Sequence, residues 1–216
     1  MWFWRWCGLG LLSVVLSGCG GGIETRRAVL TPDPQQRWEA HSRAAAAFDH
    51  WQLRGRIGVI GTGRSYHATL FWEQWDRRYA LRLAGPLGQG ALMLNGDAQR
   101  VVLRTGRGER VAAEDAGALL ARYVGVAVPV ASLRYWVRGL PSPDASYRRV
   151  LDAQGRLHRL IQSGWAMDYL VYHAPDGEGP ALPARIHLTQ GAWQVRVFAS
   201  DWQPIRAAQP TVAAVR

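Results

Sequence analysis

From residue 51 onward apolar residues fall on every second position, segment after segment, and that alternation admits a β-sheet with one buried face and little else. Trp51, Leu53, Gly55, Ile57 and Val59 alternate with Gln52, Arg54, Arg56 and Gly58. Tyr66, Ala68, Leu70 and Trp72 alternate with His67, Thr69 and Glu73, and Tyr79, Leu81 and Leu83 follow. Beyond Gly85-Pro86-Leu87-Gly88 come Ala91 to Leu94, then the hairpin signal Asn95-Gly96-Asp97, then Val101 to Leu103. The spacing predicts a meander of at least five antiparallel strands. A second run is predicted near 156–163, 165–173, 182–189 and 192–200, with turns at Ser163-Gly164, Pro175-Asp176-Gly177 and Gln190-Gly191.

Three stretches carry a helical period instead. Asp33 caps a helix that has Pro34 at its first position and Trp38, His41, Ala45 and Phe48 on one face, running to about His50. Glu114 and Asp115 open a second helix in its first turn, with Ala116, Leu119, Leu120, Tyr123 and Val124 as its stripe and Gly125 as its stop. Pro129 starts a third, with Leu133, Trp136, Val137 and Leu140 on one face and Gly139 near its end. A sheet of nine or more strands leaves one face bare unless it curls and helices cover it. The fold predicted is therefore mainly β with helices: a curved antiparallel sheet or half-open barrel, covered by helical lids, with an apolar interior.

With 48% hydrophobic residues and 11 Trp in 216, the chain can bury a single core and is not a disordered segment. Two cysteines exclude a disulfide framework and an all-cysteine zinc site. The formal charge of +10 comes entirely from Arg, since the chain has no Lys, and the Arg are scattered singly or in pairs. That is unlike a phosphate-tracking surface, so no nucleic-acid partner is predicted. A codon bias toward Arg and an anionic partner, either a membrane surface or an acidic protein face, both remain open. No nucleophile elbow, phosphate loop, His-Glu-x-x-His or dinucleotide fingerprint is present. The histidines at 41, 50, 67, 158, 173 and 187 share no metal-ligand spacing, so neither catalytic residues, a metal nor a cofactor is predicted. His67 and His187 read as outward strand residues, and Arg82, Arg104 and Arg196 as a solvated face.

Residues 1–18 read as a secretion signal, because the apolar run from Gly8 to Leu16 is far short of the roughly 20 residues that span a bilayer. It ends in Leu16-Ser17-Gly18-Cys19, which resembles the lipobox of bacterial lipoproteins. That resemblance implies a diacylglycerol thioether on Cys19 and an acyl chain on the new amino terminus; an ordinary signal with a chance Cys is the alternative. Cys7 would leave with the signal. Gly20 in place of Asp points, by resemblance to enterobacterial lipoproteins, to the outer membrane. The expected layout is a tether over 19–34, one domain over 35–204 and a loose tail over 205–216.

Leu87 puts a bulky aliphatic where a turn normally carries Asn, Asp or Ser. It either folds back under a neighbouring loop or stands exposed to enter lipid or a partner's cavity. In order and spacing, several features together resemble the LolB family of lipoprotein receptors: the lipobox, Gly55-Arg56, Phe71-Trp72, Gly85-Pro86-Leu87-Gly88, the 116–125 helix, Pro129 to Gly139 with Leu133 and Trp136, and Gly139-Leu140-Pro141. The likeness runs from about Trp38 to Trp202.

The resemblance implies a half-open barrel with an apolar cavity for acyl chains. It also implies a role as a monomer lipid-anchored in the outer membrane and facing the periplasm. Such a receptor is expected, by the same resemblance, to take acylated lipoproteins from the periplasmic carrier LolA and to insert them into the inner leaflet, with no nucleotide hydrolysed. Leu87 matches the family's membrane-inserting leucine. The cavity is expected to be lined by Leu53, Ile57, Leu70, Trp72, Leu81, Leu83, Met93, Leu119, Tyr123, Trp136 and Trp165. The scattered Arg could meet an acidic carrier surface. The rivals are a lipid hydrolase, disfavoured by the missing catalytic context, and a lipid- or lipoprotein-sensing module on the same fold.

Overall fold

Asp33 accepts a hydrogen bond from the Gln35 amide at 3.4 Å and Pro34 sets the first helical residue, so α1 (Pro34–Ala47) starts where its cap dictates. The computed structural model describes residues 33–61, 63–175 and 179–205, without the side chains of Arg64 and Leu87. The expected signal, Cys19, the tether up to residue 32, the tail from 206 and the Asp176-Gly177 part of one turn lie outside the described residues. The helix ends three residues before the expected His50, because His50 already pairs with Trp75 in the sheet. The carbonyls freed at that end are taken by Arg138, whose guanidinium donates to Ala45, Ala46 and Phe48 at 3.1, 3.5 and 2.7 Å. Burial pushes this guanidinium down to about 10, so it stays charged at neutral pH.

The strands are β1 (His50–Gly61), β2 (Arg64–Trp75), β3 (Arg78–Ala84), β4 (Leu92–Gly96), β5 (Val101–Thr105) and β6 (Arg110–Ala113), then β7 (Tyr147–Leu151), β8 (Leu157–Gln162), β9 (Trp165–Tyr172), β10 (Pro183–Gln190) and β11 (Trp193–Pro204). Between the two runs lie α2 (Ala116–Val124) and α3 (Val130–Trp136). All eleven strands form one antiparallel sheet in the order β6-β5-β4-β3-β2-β1-β11-β10-β9-β8-β7. The sheet is curved and unclosed, as the alternation and the helical stretches predict. The first and last strands pair at its centre, Trp51 opposite Pro204, while β6 and β7 are its two edges. At Gly55 the β1 register against β11 shifts by a bulge, and a Cβ there would meet the Phe198 carbonyl oxygen.

Several expectations need correction. Strands β6 and β7 are absent from the reading of the pattern because edge strands are short, and theirs carry Arg110, Arg148 and Arg149 in place of a clean apolar alternation. Asn95 and Gly96 are ladder residues opposite Val102 and Val101. The turn itself lies beyond them, where the Asp97 carboxylate accepts from the Gln99 and Arg100 amides at 2.8 and 2.9 Å. Asp115 caps α2 through the Gly117 amide and does not sit inside the first turn. β11 persists to Pro204, because β1 continues opposite it.

The buried face holds the core, with Trp51, Trp72, Trp136 and Trp165 all essentially solvent-free. Trp51 packs between Trp72 and Trp202 at centroid distances of 5.2 and 5.1 Å, tilted against the first ring and edge-on to the second. On the helical side His41 lies against Trp38 and Tyr172, and burial together with the nearby Arg156 lowers its pKa. A lowered imidazole binds its proton less readily in the folded chain than in the unfolded one. Stability is therefore full above the unfolded value of about 6.5 and falls as the pH drops below it. The melting temperature should decline on acidification from pH 7 to 5, with a shallower slope in His41→Phe; equal slopes would remove His41 as a contributor.

Candidate functional site

Beneath α2 and α3 the inner face of the sheet bounds a cavity of about 40 Å³ into which no polar atom is exposed. The strands supply Ile57 and Val59, Leu70 and Trp72, Leu81 and Leu83, and Val195 and Val197. The cover supplies Leu120 and Val124 from α2, Val126 and Val128 from the linker, and Val130, Leu133 and Val137 from α3 and its end. Trp72 is the one side chain of the wall with a polar atom. Its indole N–H donates to Gln74 at 3.0 Å, and Gln74 donates on to the carbonyls of Asp76 and Arg78 at 2.7 and 3.1 Å. That chain of bonds fixes the ring and keeps its N–H satisfied.

Of the eleven expected lining residues, five are brought together here: Ile57, Leu70, Trp72, Leu81 and Leu83. Leu53, Leu119, Trp136 and Trp165 are buried but do not reach the cavity. Leu53 stands opposite Trp72 and Trp202, at the end of β1 that the tryptophan cluster fills. Trp136 turns toward β8, donating to Gln162 at 2.8 Å. Along α2 the Leu120 and Val124 line faces the cavity. The neighbouring Leu119 and Tyr123 line is rotated off it, and the Tyr123 hydroxyl donates to Glu109 at 2.8 Å. Met93 is 37% exposed, because Leu92 and Leu94 on either side of it point inward.

The residues that the pattern missed are mostly valines. Val126, Val128 and Val130 alternate through what looked like a connection between two helices, and an apolar period of two in a linker was the available signal. The linker begins at Gly125, the left-handed cap of α2 at φ 95°. The Trp193 ring lies against this glycine, at 2.9 Å from where a Cβ would stand, and against Gly61 at the end of β1 as well. Trp193 thus joins the sheet rim to the helical cover.

The turn between β3 and β4 has a tight base, where the Gly85 amide donates to Gln89 at 3.1 Å and the Gly88 amide to Gly85 at 3.0 Å. Its backbone carries Leu87 within the 3-10 turn Pro86–Gly88, and Pro86, Gly88, Gln89 and Gly90 are exposed.

A family model described as "Outer membrane lipoprotein LolB" matches residues 49–202. A protein named "Outer-membrane lipoprotein LolB" from Pseudomonas putida (strain GB-1) is 39% identical over 202 residues, 94% of this chain and 97% of that one. One of the same name from Pseudomonas aeruginosa (strain LESB58) is 39% identical over 190 residues, 88% of this chain and 91% of that one. Among solved structures, a LolA superfamily protein from Nitrosomonas europaea superposes with a TM-score of 0.54 over 81% of this chain and 94% of that chain. At 8% identity that likeness concerns the fold alone. The match of the family model across the whole sheet, with relatives at this identity over nearly the full chain, means that the chain belongs to the LolB family.

Proposed function

We propose that the chain is an outer-membrane receptor of lipoprotein sorting. It accepts acylated lipoproteins from the periplasmic carrier LolA, shelters their acyl chains in the apolar cavity and inserts them into the inner leaflet. Acyl chains on Cys19 tether it to that leaflet, facing the periplasm, and residues 35–204 are the working domain. The observation that carries this reading is the apolar cavity, whose wall has hydrocarbon lining on every side and nothing to orient a polar substrate.

The physics of the task suits such a site. Exposing one acyl chain to water costs roughly 10 kcal/mol at about 0.8 kcal/mol per methylene, so cargo must pass from cavity to cavity and then to bilayer. Direction comes from rising affinity along the route, and a step of about 1.4 kcal/mol biases each transfer tenfold. A cavity of about 40 Å³ is far below the roughly 300–1,000 Å³ that ligands of this size occupy. Cargo therefore enters by displacing the cover formed by α2, the valine linker and α3.

The test loads the carrier with an acylated lipoprotein and adds the receptor as its soluble Cys19→Ala form, followed by liposomes. Cargo should pass to the receptor and then to the liposomes. Leu87→Glu should accept cargo normally and deliver it at least tenfold more slowly, because a carboxylate entering lipid costs a few kcal/mol. No movement of cargo onto the receptor would overturn the reading in favour of a sensing module.

A further inference from the structure

On the outer face of the sheet, the side chains of a strand row surround a gap. Gly58 lies between Arg196 on β11 and His67 on β2, and it contributes no side chain to that face. The His67 ring overhangs the gap, its Nδ1 standing 3.2 Å from where a Gly58 Cβ would be. One row along, Arg56 stands between Phe198 and Thr69. The result is a depression of about 620 Å³ with Arg56, Arg196 and His67 around it. Its far wall is Gly85 and Pro86, the base of the turn that carries Leu87.

Two features make this more than a solvated basic face. Neither Arg56 nor Arg196 has a carboxylate partner among the described residues, and Asp168, the acid on the same row, is engaged by Arg159 at 3.1 Å. Arg196 has only a 3.4 Å bond to Gln194. Two such guanidinium groups and an imidazole around a gap of this size supply enough donors for the several oxygens of a phosphate, and a single carboxylate would leave some of those donors unused. The position selects the source, since a bilayer met by the Pro86–Gly88 turn presents its head groups at the level of this gap.

We propose that the Arg56, His67 and Arg196 depression is a phosphate site that takes a phospholipid head group when the neighbouring turn enters the membrane. The proposal rests on the membrane-delivery reading and adds to it a recognition step. The turn supplies an apolar foothold, and the phosphate site sets the depth and orientation of the receptor at the leaflet.

The experiment measures binding of the Cys19→Ala chain to phosphatidylethanolamine and phosphatidylglycerol vesicles, and to galactolipid vesicles that present no phosphate. The wild type should prefer the phospholipid at least tenfold, and Arg56→Gln with Arg196→Gln should lose that preference. Arg82→Gln with Arg104→Gln removes the same charge from the same face away from the gap and should keep the preference within about threefold. Equal loss in the two double variants would mean diffuse attraction and overturn the site. Free glycerol phosphate is the second arm: it should shift the His67 imidazole resonances and compete with the vesicles. Shifts without competition would mean a solute site and overturn the lipid assignment. Uptake of cargo from the carrier is read in the same preparations, so failure of the receptor reading shows as no uptake, whatever the vesicle preference.

Discussion

Replacing Gln162 with leucine is expected to lower the melting temperature by roughly 10 °C, at a cost of about 3–5 kcal/mol in a domain of this size. The side chain is 2% exposed and every hydrogen-bonding capacity of its amide is used. Its oxygen accepts from the Trp136 indole and the Ser142 amide, both at 2.8 Å. Its nitrogen donates to the carbonyls of Ser142 and Ala145, both at 2.7 Å. Leucine keeps the volume and leaves two donors and two acceptors buried without partners, the costly side of the hydrogen-bond balance. Because these bonds tie the segment after α3 to β8, the cover should loosen along with the core. Gln194→Leu, on the exposed outer face, is the comparison and should shift the midpoint by no more than about 2 °C. Equal shifts would show that the network contributes nothing beyond an ordinary surface change.

The second large effect concerns the cover itself. Trp193→Ala removes the ring that lies against both Gly61 and Gly125, and with it an apolar contact between sheet rim and α2. Losing a half-buried indole there costs the closed state about 2 kcal/mol, which raises the population of the opened cover roughly thirtyfold. Amide exchange in residues 116–124 should accelerate by that factor, and uptake of a fluorescent fatty acid should speed up in parallel if opening limits entry. Unchanged exchange in α2 would show that Trp193 does not hold the cover.

How far the sequence could be read depended on how one-sided each element's surroundings are. β1 and β2 lie mid-sheet with one face in the core, so Trp51, Leu53, Leu70 and Trp72 alternate cleanly and place those strands. The cap at Asp33 and the stop at Gly125 are local chemistry and were legible for that reason. β6 and β7 pair on one side only, which relaxes the constraint that writes a pattern. The cavity was harder, since alternation says that a residue points inward and not what stands opposite it. Ile57 and Leu53 share the inner face of one strand, yet only Ile57 reaches the cavity, which lies along the part of the strand that residues 120–137 cover. Trp136 was drawn away from the cavity by a partner 26 residues on, in β8. Met93 is the simpler case, settled by the parity of the strand once Leu92 and Leu94 are placed inward.

The strand order has a mechanical consequence. Read from one edge of the sheet to the other it runs β7 to β11 and then β1 to β6, so every pair of consecutive strands is adjacent except β6 and β7, which lie at the two edges, and the first and last strands close the order at the centre. The segment containing α2 and α3 is therefore a strap, fastened at its two ends to opposite margins of an open sheet. Any flattening or tightening of the sheet changes the span the strap must cross, and lifting the strap frees the margins to spread. The width of the mouth and the height of its cover are thus one coordinate: a chain cut between Gly125 and Pro129, with its ends joined beside Trp51 and Pro204, would keep every strand pairing and lose that coupling.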